Sequence, residues 1–139
     1  MTRGWLLDKS ALSRSHLPDV VAALAPRLRA ARLYTCAIID LEILYSARNA
    51  LEYATVAHDR REAYEWVEMD AETWARAARL QSELAVHAHL RAAGVADLLI
   101  AATAEQHGLT VLHYDRDFET LGRLCGVQQE AVVPLGSLP

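Results

Sequence analysis

The sequence predicts an α/β fold in which a small central parallel β-sheet is flanked by helices on both faces. Three observations lead to this prediction. Short apolar strand-like runs alternate with helical segments, one helix is apolar on almost every side, and acidic residues directly follow two of the strand-like runs. Strands that alternate with helices favour parallel pairing with crossover connections. The chain of 139 residues, 53% of them apolar, fits a single domain over residues 1–139 with a substantial core.

The stretch from residue 94 to residue 119 carries the strongest structural signal. Residues 97–107 form a predicted helix whose apolar positions run nearly all the way round, which is typical of a buried helix. Gly108 follows at the position where a helix C-cap is expected. Residues 110–114 then read as a short, mostly apolar strand of the kind buried in a parallel sheet.

The remainder of the chain supplies the other predicted elements. Apolar runs predict strands at residues 3–7, 33–36 and 131–133. Helical periodicity and helix-forming residues predict helices at 18–32, 37–48 and 49–67, and a further helix that starts at Asp70. Pro26 is expected to kink or break the first of these helices, and the helix at 49–67 is charged and expected to face solvent.

Composition and charge limit the class of protein. The net charge is −4, so no global positive field indicates nucleic-acid binding. Cys36 and Cys125 have no histidine or cysteine at zinc-ligand spacing, and we expect core or near-core thiols in a reducing compartment. No apolar run approaches the roughly 18 residues of a membrane span, and the apolar run near the N-terminus is too short for a secretory signal. We therefore expect a cytoplasmic protein.

Acidic residues stand at the ends of predicted elements. Asp8 follows the first strand, Asp115 and Asp117 follow the strand at 110–114, and Asp97 begins the apolar helix. Ligands of open α/β sheets bind outside the carboxyl ends of the strands, so these acids are expected to share one edge. Asp8 also suits a helix N-cap or a turn, and that alternative stays open.

Two further acids lie in the predicted helix at 37–48. Asp40 and Glu42 point about 200° apart on a helix and cannot share a face. Asp40 lies in the first turn, where a carboxylate favours the helix dipole. Glu42 lies deeper on an apolar helix and needs a partner. Periodicity leaves open whether that partner is an arginine or a metal ion.

A group of carboxylates predicts a metal site. Three or more of them within a few ångströms raise one another's pKa unless a cation compensates the charge. Ligand sets made only of oxygen select hard ions, Mg²⁺ or Mn²⁺, over Zn²⁺. A water on such an ion can act as nucleophile while the ion binds phosphate oxygens. Phosphodiester hydrolysis is the reaction class that follows.

Three motifs carry a resemblance to a known family. They are LLDKSAL at residues 6–12, the acid–aliphatic pair at Glu42 and Ile43, and ADLLIAATAEQHGLTVLHYDRDFE at residues 96–119. With these motifs the sequence resembles the PIN-domain ribonucleases, specifically the VapC-type toxins of type II toxin–antitoxin pairs, over nearly the whole chain.

The resemblance implies a Mg²⁺-dependent endoribonuclease in which Mn²⁺ can substitute. It implies metal binding by Asp8, Asp97 and Asp115, and catalytic acids at Asp8, Glu42, Asp97, Asp115 and Asp117. Ser10 falls on the hydroxyl position near the site, and Arg116 or Arg91 is a candidate for RNA phosphate contact beside it. The expected substrate is tRNA or ribosomal RNA. The expected assembly is a homodimer that forms a heterotetramer or larger complex with a VapB-type antitoxin.

Two other functions fit parts of the sequence. The first is a PIN domain that serves mainly as an antitoxin-bound regulator with little catalysis. The second is a receiver-like phosphoacceptor domain, which also has an acidic, Mg²⁺-binding sheet edge. A receiver needs a lysine after a late strand, and the single lysine of this chain, Lys9, follows the first strand instead. The complete set of acids favours catalysis over the regulatory function.

Overall fold

The computed structural model describes residues 2–139 and contains a five-stranded sheet in the order β3-β2-β1-β4-β5, with every pair parallel. The strands are β1 (Trp5–Leu7), β2 (Leu33–Thr35), β3 (Glu65–Trp66), β4 (Thr110–His113) and β5 (Gln129–Ala131). The helices are α1 (Lys9–Leu12), α2 (Pro18–Arg29), α3 (Ala37–Leu44), α4 (Ala50–Ala63), α5 (Ala71–Val86), α6 (Val95–His107) and α7 (Arg116–Cys125). The predicted α/β fold is confirmed.

The core lies on both faces of the sheet. Successive side chains of a strand point to opposite faces, and the neighbours Leu6 and Leu7 accordingly belong to two different buried clusters. The Leu6 cluster includes residues of α3, α5, α6 and α7, whereas the Leu7 cluster includes residues of α1 and α2. This division explains why the strand sequences are apolar without alternation.

Helix α6 is the most deeply buried element. Every residue from Leu98 to Ala104 is buried, as the apolar sequence predicted. Gly108 ends the helix in the left-handed conformation, with φ of 68°, a backbone geometry that glycine adopts without a Cβ penalty. The predicted C-cap is confirmed, and the chain turns directly into β4.

Cys36 is buried and Cys125 half-buried, and both are free thiols.

Several predicted elements differ from the structure. The helix predicted at 37–48 ends at Leu44, and the helix predicted at 18–32 ends at Arg29. The helix predicted at 49–67 ends at Ala63, and Glu65–Trp66 forms the edge strand β3. This strand has only two residues, both exposed, and is too short to show a strand pattern. Helix α2 continues through Pro26 to Arg29 and is not broken there. The last strand lies two residues earlier than predicted, at Gln129–Ala131.

Within residues 2–139, no helix has the length and apolar character needed to cross a membrane.

A buried ion pair fixes α4 against α3 and β2. The guanidinium of Arg60 donates to Oδ1 of Asp40 from Nε at 3.0 Å and from Nη2 at 2.9 Å. The Thr35 hydroxyl donates to the same oxygen at 2.7 Å, and the Arg60 side chain is only 7% exposed. Arg60 is therefore the partner of Asp40. Within residues 2–139 no arginine forms an ion pair with Glu42, the residue for which the sequence left an arginine or a metal ion open, and Glu42 stays available for another role.

We expect Arg60→Met to lower the free energy of unfolding by about 3 kcal/mol, because removing one partner leaves the other charge of a largely buried pair uncompensated. Urea denaturation measures this change. The matched control is Arg61→Met, since Arg61 is exposed and a surface change of this kind costs less than about 0.5 kcal/mol. Equal losses for the two variants would contradict the structural role of the Asp40–Arg60 pair.

Candidate active site

Two central strands deliver aspartates to the same edge of the sheet. Strand β1 ends at Leu7, which is in register with Leu112 of β4, so the residues that follow the two strands are neighbours. The Asp8 N–H donates to the Leu112 carbonyl at 2.9 Å. Asp8 and Asp115 therefore lie at the same edge of the sheet, as the sheet-edge argument predicted.

Both aspartates also cap the helix that follows them. Oδ2 of Asp8 accepts a hydrogen bond from the Ser10 N–H at 2.9 Å, and Oδ1 of Asp115 accepts one from the Asp117 N–H at 2.9 Å. The N-cap interpretation of Asp8 is thus correct, but it does not compete with a role in the site. In each carboxylate the second oxygen makes no hydrogen bond to the described residues and is available to a ligand.

Helix α6 brings a third carboxylate to this edge. Asp97 lies in the first turn of the helix, and one carboxylate oxygen from each of Asp97, Asp115 and Asp117 lies within 4.8 Å of the others. We call these three residues the acidic cluster. Three oxygen donors at this spacing match the ligand type that Mg²⁺ and Mn²⁺ prefer, so the residues present fit a divalent cation.

The cluster holds more negative charge than its surroundings compensate. Burial, followed by the carboxylates of Asp115, Asp8 and Asp117, raises the pKa of Asp97 from 3.8 to about 7. Burial and the Asp115 carboxylate also raise the pKa of Asp117. A carboxyl group that is driven toward its neutral form beside like charges marks a position where a cation would be stabilising.

Asp8 and Glu42 border the acidic cluster without joining it. The Asp8 side chain is buried, and its charge acts on both Asp97 and Glu42. Burial, followed by the Asp8 carboxylate, raises the pKa of Glu42, and nearby Lys9 lowers it. All five predicted acids are therefore linked electrostatically at one edge. Asp117 is grouped with Asp97 and Asp115, whereas Asp8, which the resemblance implied as a metal ligand, lies outside this 4.8 Å group.

Sequence reasoning did not find the residue that holds Asp115 in place. His113 is fully buried. Its Nδ1 accepts a hydrogen bond from the Asp115 N–H at 3.1 Å, and its Nε2 lies 2.7 Å from Oε1 of Gln129. This buried ring positions the Asp115 backbone, and no sequence pattern indicates it because Gln129 comes from β5.

Two of the residues expected near the site, Ser10 and Arg116, line one groove with Asp115. The Ser10 hydroxyl accepts a hydrogen bond from the Tyr114 N–H at 2.9 Å and ties α1 to the end of β4. Arg116 is exposed at the start of α7 and lines the same groove as Ser10 and Asp115. Arg91 is exposed in the segment between α5 and α6.

Comparison with known proteins agrees with this geometry. The PIN domain family matches residues 5–124. The chain is 41% identical over 137 residues to Ribonuclease VapC21 of Mycobacterium tuberculosis, with 99% of each chain covered. Two solved structures share the fold, each at 20% identity. DNA-bound VapBC from Salmonella typhimurium has a TM-score of 0.76, covering 94% of this chain and 98% of that one. A member of the VapBC family of toxin–antitoxin systems, VapBC-5 from Mycobacterium tuberculosis, has a TM-score of 0.60, covering 92% and 97%. The chain belongs to the PIN-domain family and is similar to its VapC ribonucleases.

Proposed function

We propose that this protein is a divalent-metal-dependent endoribonuclease and the toxin of a type II toxin–antitoxin pair, built as one PIN domain that spans the chain and acts in the cytoplasm. The acidic cluster of Asp97, Asp115 and Asp117 carries this proposal, because its uncompensated charge and its oxygen-only donors suit a hard cation. The ribonuclease name of the 41% identical relative supports RNA as the substrate.

The acidic residues of the site have different roles in phosphodiester hydrolysis. Asp97 and Asp115 would hold a Mg²⁺ ion, or Mn²⁺ in its place, with Asp8 and Asp117 as further ligands directly or through water. Such an ion supplies a polarised water and neutralises charge on the phosphate oxygens. Glu42 stands outside the 4.8 Å group and has a raised pKa. This carboxylate either completes the shell or orients the attacking water and accepts its proton.

The partner that fits this function is a VapB-type antitoxin. The similarity of the fold to VapBC-5, a member of a family of toxin–antitoxin systems, supports this partner. Large apolar side chains that are at least 43% exposed lie on or beside the helices of the N-terminal half, and we propose that they contribute to the antitoxin surface: Val21, Leu28, Leu41, Tyr45, Leu51 and Tyr53. A homodimer, assembled with antitoxin into a heterotetramer or larger complex, completes the proposal.

We expect purified, antitoxin-free protein to cut tRNA or ribosomal RNA into discrete fragments with Mg²⁺ or Mn²⁺ and to lose this activity in EDTA. Asp97→Asn removes a ligand charge and is expected to reduce the cleavage rate by about 100-fold or more. Gel electrophoresis of end-labelled RNA measures both effects.

The matched control for this assay is Asp59→Asn, because Asp59 is an exposed acid of α4 outside the acidic cluster. It should cleave RNA as the wild type does. Cleavage by Asp97→Asn at the wild-type rate would contradict the proposed role of Asp97 as a metal ligand. A folded wild-type protein that cuts none of these RNAs would favour the regulatory, antitoxin-bound role instead.

We expect the metal-free protein to lose stability as the pH rises from about 4 to about 7. Over this range the folded state keeps a proton on Asp97, whose pKa is raised to about 7, while the unfolded state has released it. The unfolded state thus binds fewer protons, and the free energy of unfolding falls as pH rises.

Asp97→Asn removes this titration, so its melting temperature in EDTA at pH 8 should equal or exceed that of the wild type by a few degrees. Thermal melts in EDTA across this pH range, with Asp59→Asn as the control, measure the difference. A melting temperature for Asp97→Asn that drops by many degrees in EDTA would make Asp97 a structural helix residue rather than a ligand.

A further inference from the structure

A groove of about 520 Å³ borders the acidic cluster. Its lining includes Asp115, which also belongs to the cluster, together with Ser10, Tyr114 and two arginines, Arg14 and Arg116. We call it the Arg14–Arg116 groove. The groove therefore carries two positive charges against one carboxylate, next to a site whose own charge is strongly negative.

Arg14 is held with its guanidinium over the groove. Nη1 of Arg14 donates to the Ser10 carbonyl at 2.6 Å, and the guanidinium carbon lies 4.6 Å from the centroid of the Tyr114 ring. These contacts come from α1 and from the end of β4, the two elements that also carry Asp8 and Asp115. These two contacts hold the Arg14 side chain in place, and no carboxylate in the described chain forms an ion pair with it.

Neither arginine of this groove forms an ion pair with the described residues. Within residues 2–139, neither Arg14 nor Arg116 lies within 4.0 Å of a carboxylate oxygen, whereas five other arginines do: Arg27, Arg48, Arg60, Arg76 and Arg79. Guanidinium groups without an internal carboxylate partner are suited to bind phosphate through their remaining N–H donors. Their position here suits an anionic ligand.

The C-terminal tail forms one wall of the groove. The Tyr114 hydroxyl accepts hydrogen bonds from the N–H groups of Gly136 at 2.9 Å and Leu138 at 3.2 Å. The Tyr114 N–H in turn donates to the Ser10 hydroxyl. Tyr114 is therefore fixed at its backbone and at its ring, and the groove is formed before a ligand arrives, which reduces the entropy cost of binding.

We propose that the Arg14–Arg116 groove binds an RNA backbone phosphate adjacent to the phosphate that is cleaved at the acidic cluster. This inference rests on the proposed nuclease function. The acidic cluster by itself repels RNA, so affinity for the backbone must come from cations beside it. Because the groove and the cluster share Asp115, a strand whose scissile phosphate lies at the cluster extends its neighbouring phosphate toward the two arginines.

The test measures RNA binding separately from cleavage. The probe is a fluorescein-labelled, short single-stranded RNA of mixed sequence, titrated by fluorescence anisotropy at a series of KCl concentrations. The parent protein is Asp97→Asn, which keeps the RNA intact. Arg14→Ala and Arg116→Ala are introduced into it one at a time. The matched control is Arg29→Ala, since Arg29 is exposed near the end of α2, before β2 and therefore at the opposite edge of the sheet.

We expect each groove variant to raise the Kd for RNA by about fivefold or more and to lower the salt slope, the change of log K with log salt, by about 0.7. Arg29→Ala should leave the slope unchanged. Arg14→Lys keeps the positive charge and should restore most of the slope. If Arg14→Ala fails to fold in a thermal melt, Arg116→Ala decides the outcome, because the Arg116 side chain makes no hydrogen bond to residues 2–139.

Three results would overturn the phosphate assignment. The first is that both groove variants have the same Kd and the same salt slope as the parent. The second is that Arg29→Ala raises the Kd and lowers the salt slope as much as the groove variants do. Unchanged RNA binding together with weakened binding of a polyglutamate peptide would assign the groove to an acidic protein segment. Failure of the nuclease proposal looks different: the parent would bind RNA with arginine-dependent salt slopes while the wild-type protein cuts no RNA in Mg²⁺ or Mn²⁺.

Discussion

Repulsion among carboxylates at one edge of the sheet is the constraint on which this site depends. Asp97, Asp115 and Asp117 offer oxygens within 4.8 Å of one another, and Asp8 and Glu42 add negative charge around them. Within residues 2–139 no arginine or lysine forms an ion pair with the cluster, and burial together with the neighbouring carboxylates raises the pKa of Asp97 to about 7. Folding thus places like charges together at a cost in stability, and a divalent ion would offset that cost.

The fold creates this arrangement with few residues. Strands β1 and β4 lie side by side at the centre of the parallel sheet. An aspartate follows each of them within two residues and also caps the next helix. The capping bonds use one oxygen of each carboxylate and fix its direction. The Asp115 N–H donates a hydrogen bond to the ring of buried His113. Backbone and core contacts therefore set the geometry of the site.

The sequence predicted those features that arise from local pattern. Helix α6 was predictable because its apolar residues surround it and Gly108 ends it, and the acids were predictable because they follow strands directly. Strand β3 was not, because its two exposed residues join the sheet only through backbone pairing with β2.

The sequence also did not predict side-chain contacts between residues that are far apart in the chain. Arg60 lies 20 residues from Asp40 in the chain, and Gln129 reaches His113 from another strand. The Arg14 contact with Tyr114 is likewise made across α1 and the end of β4. Pairings of this kind are decided by tertiary packing, so periodicity left the partner of Glu42 open between an arginine and a metal. The individual ligand roles of the five acids stay predictions.

Direct measurement of metal binding shows whether the acidic cluster holds a divalent cation. Isothermal titration calorimetry with Mn²⁺ and competing Mg²⁺, on wild-type protein, Asp97→Asn and the Asp59→Asn control, requires no knowledge of the RNA substrate. We expect saturable Mn²⁺ binding in the wild type and the control, displacement by Mg²⁺, and loss of binding in Asp97→Asn. Equal Mn²⁺ binding by wild type and Asp97→Asn, or no binding by either, would contradict a metal site at the cluster.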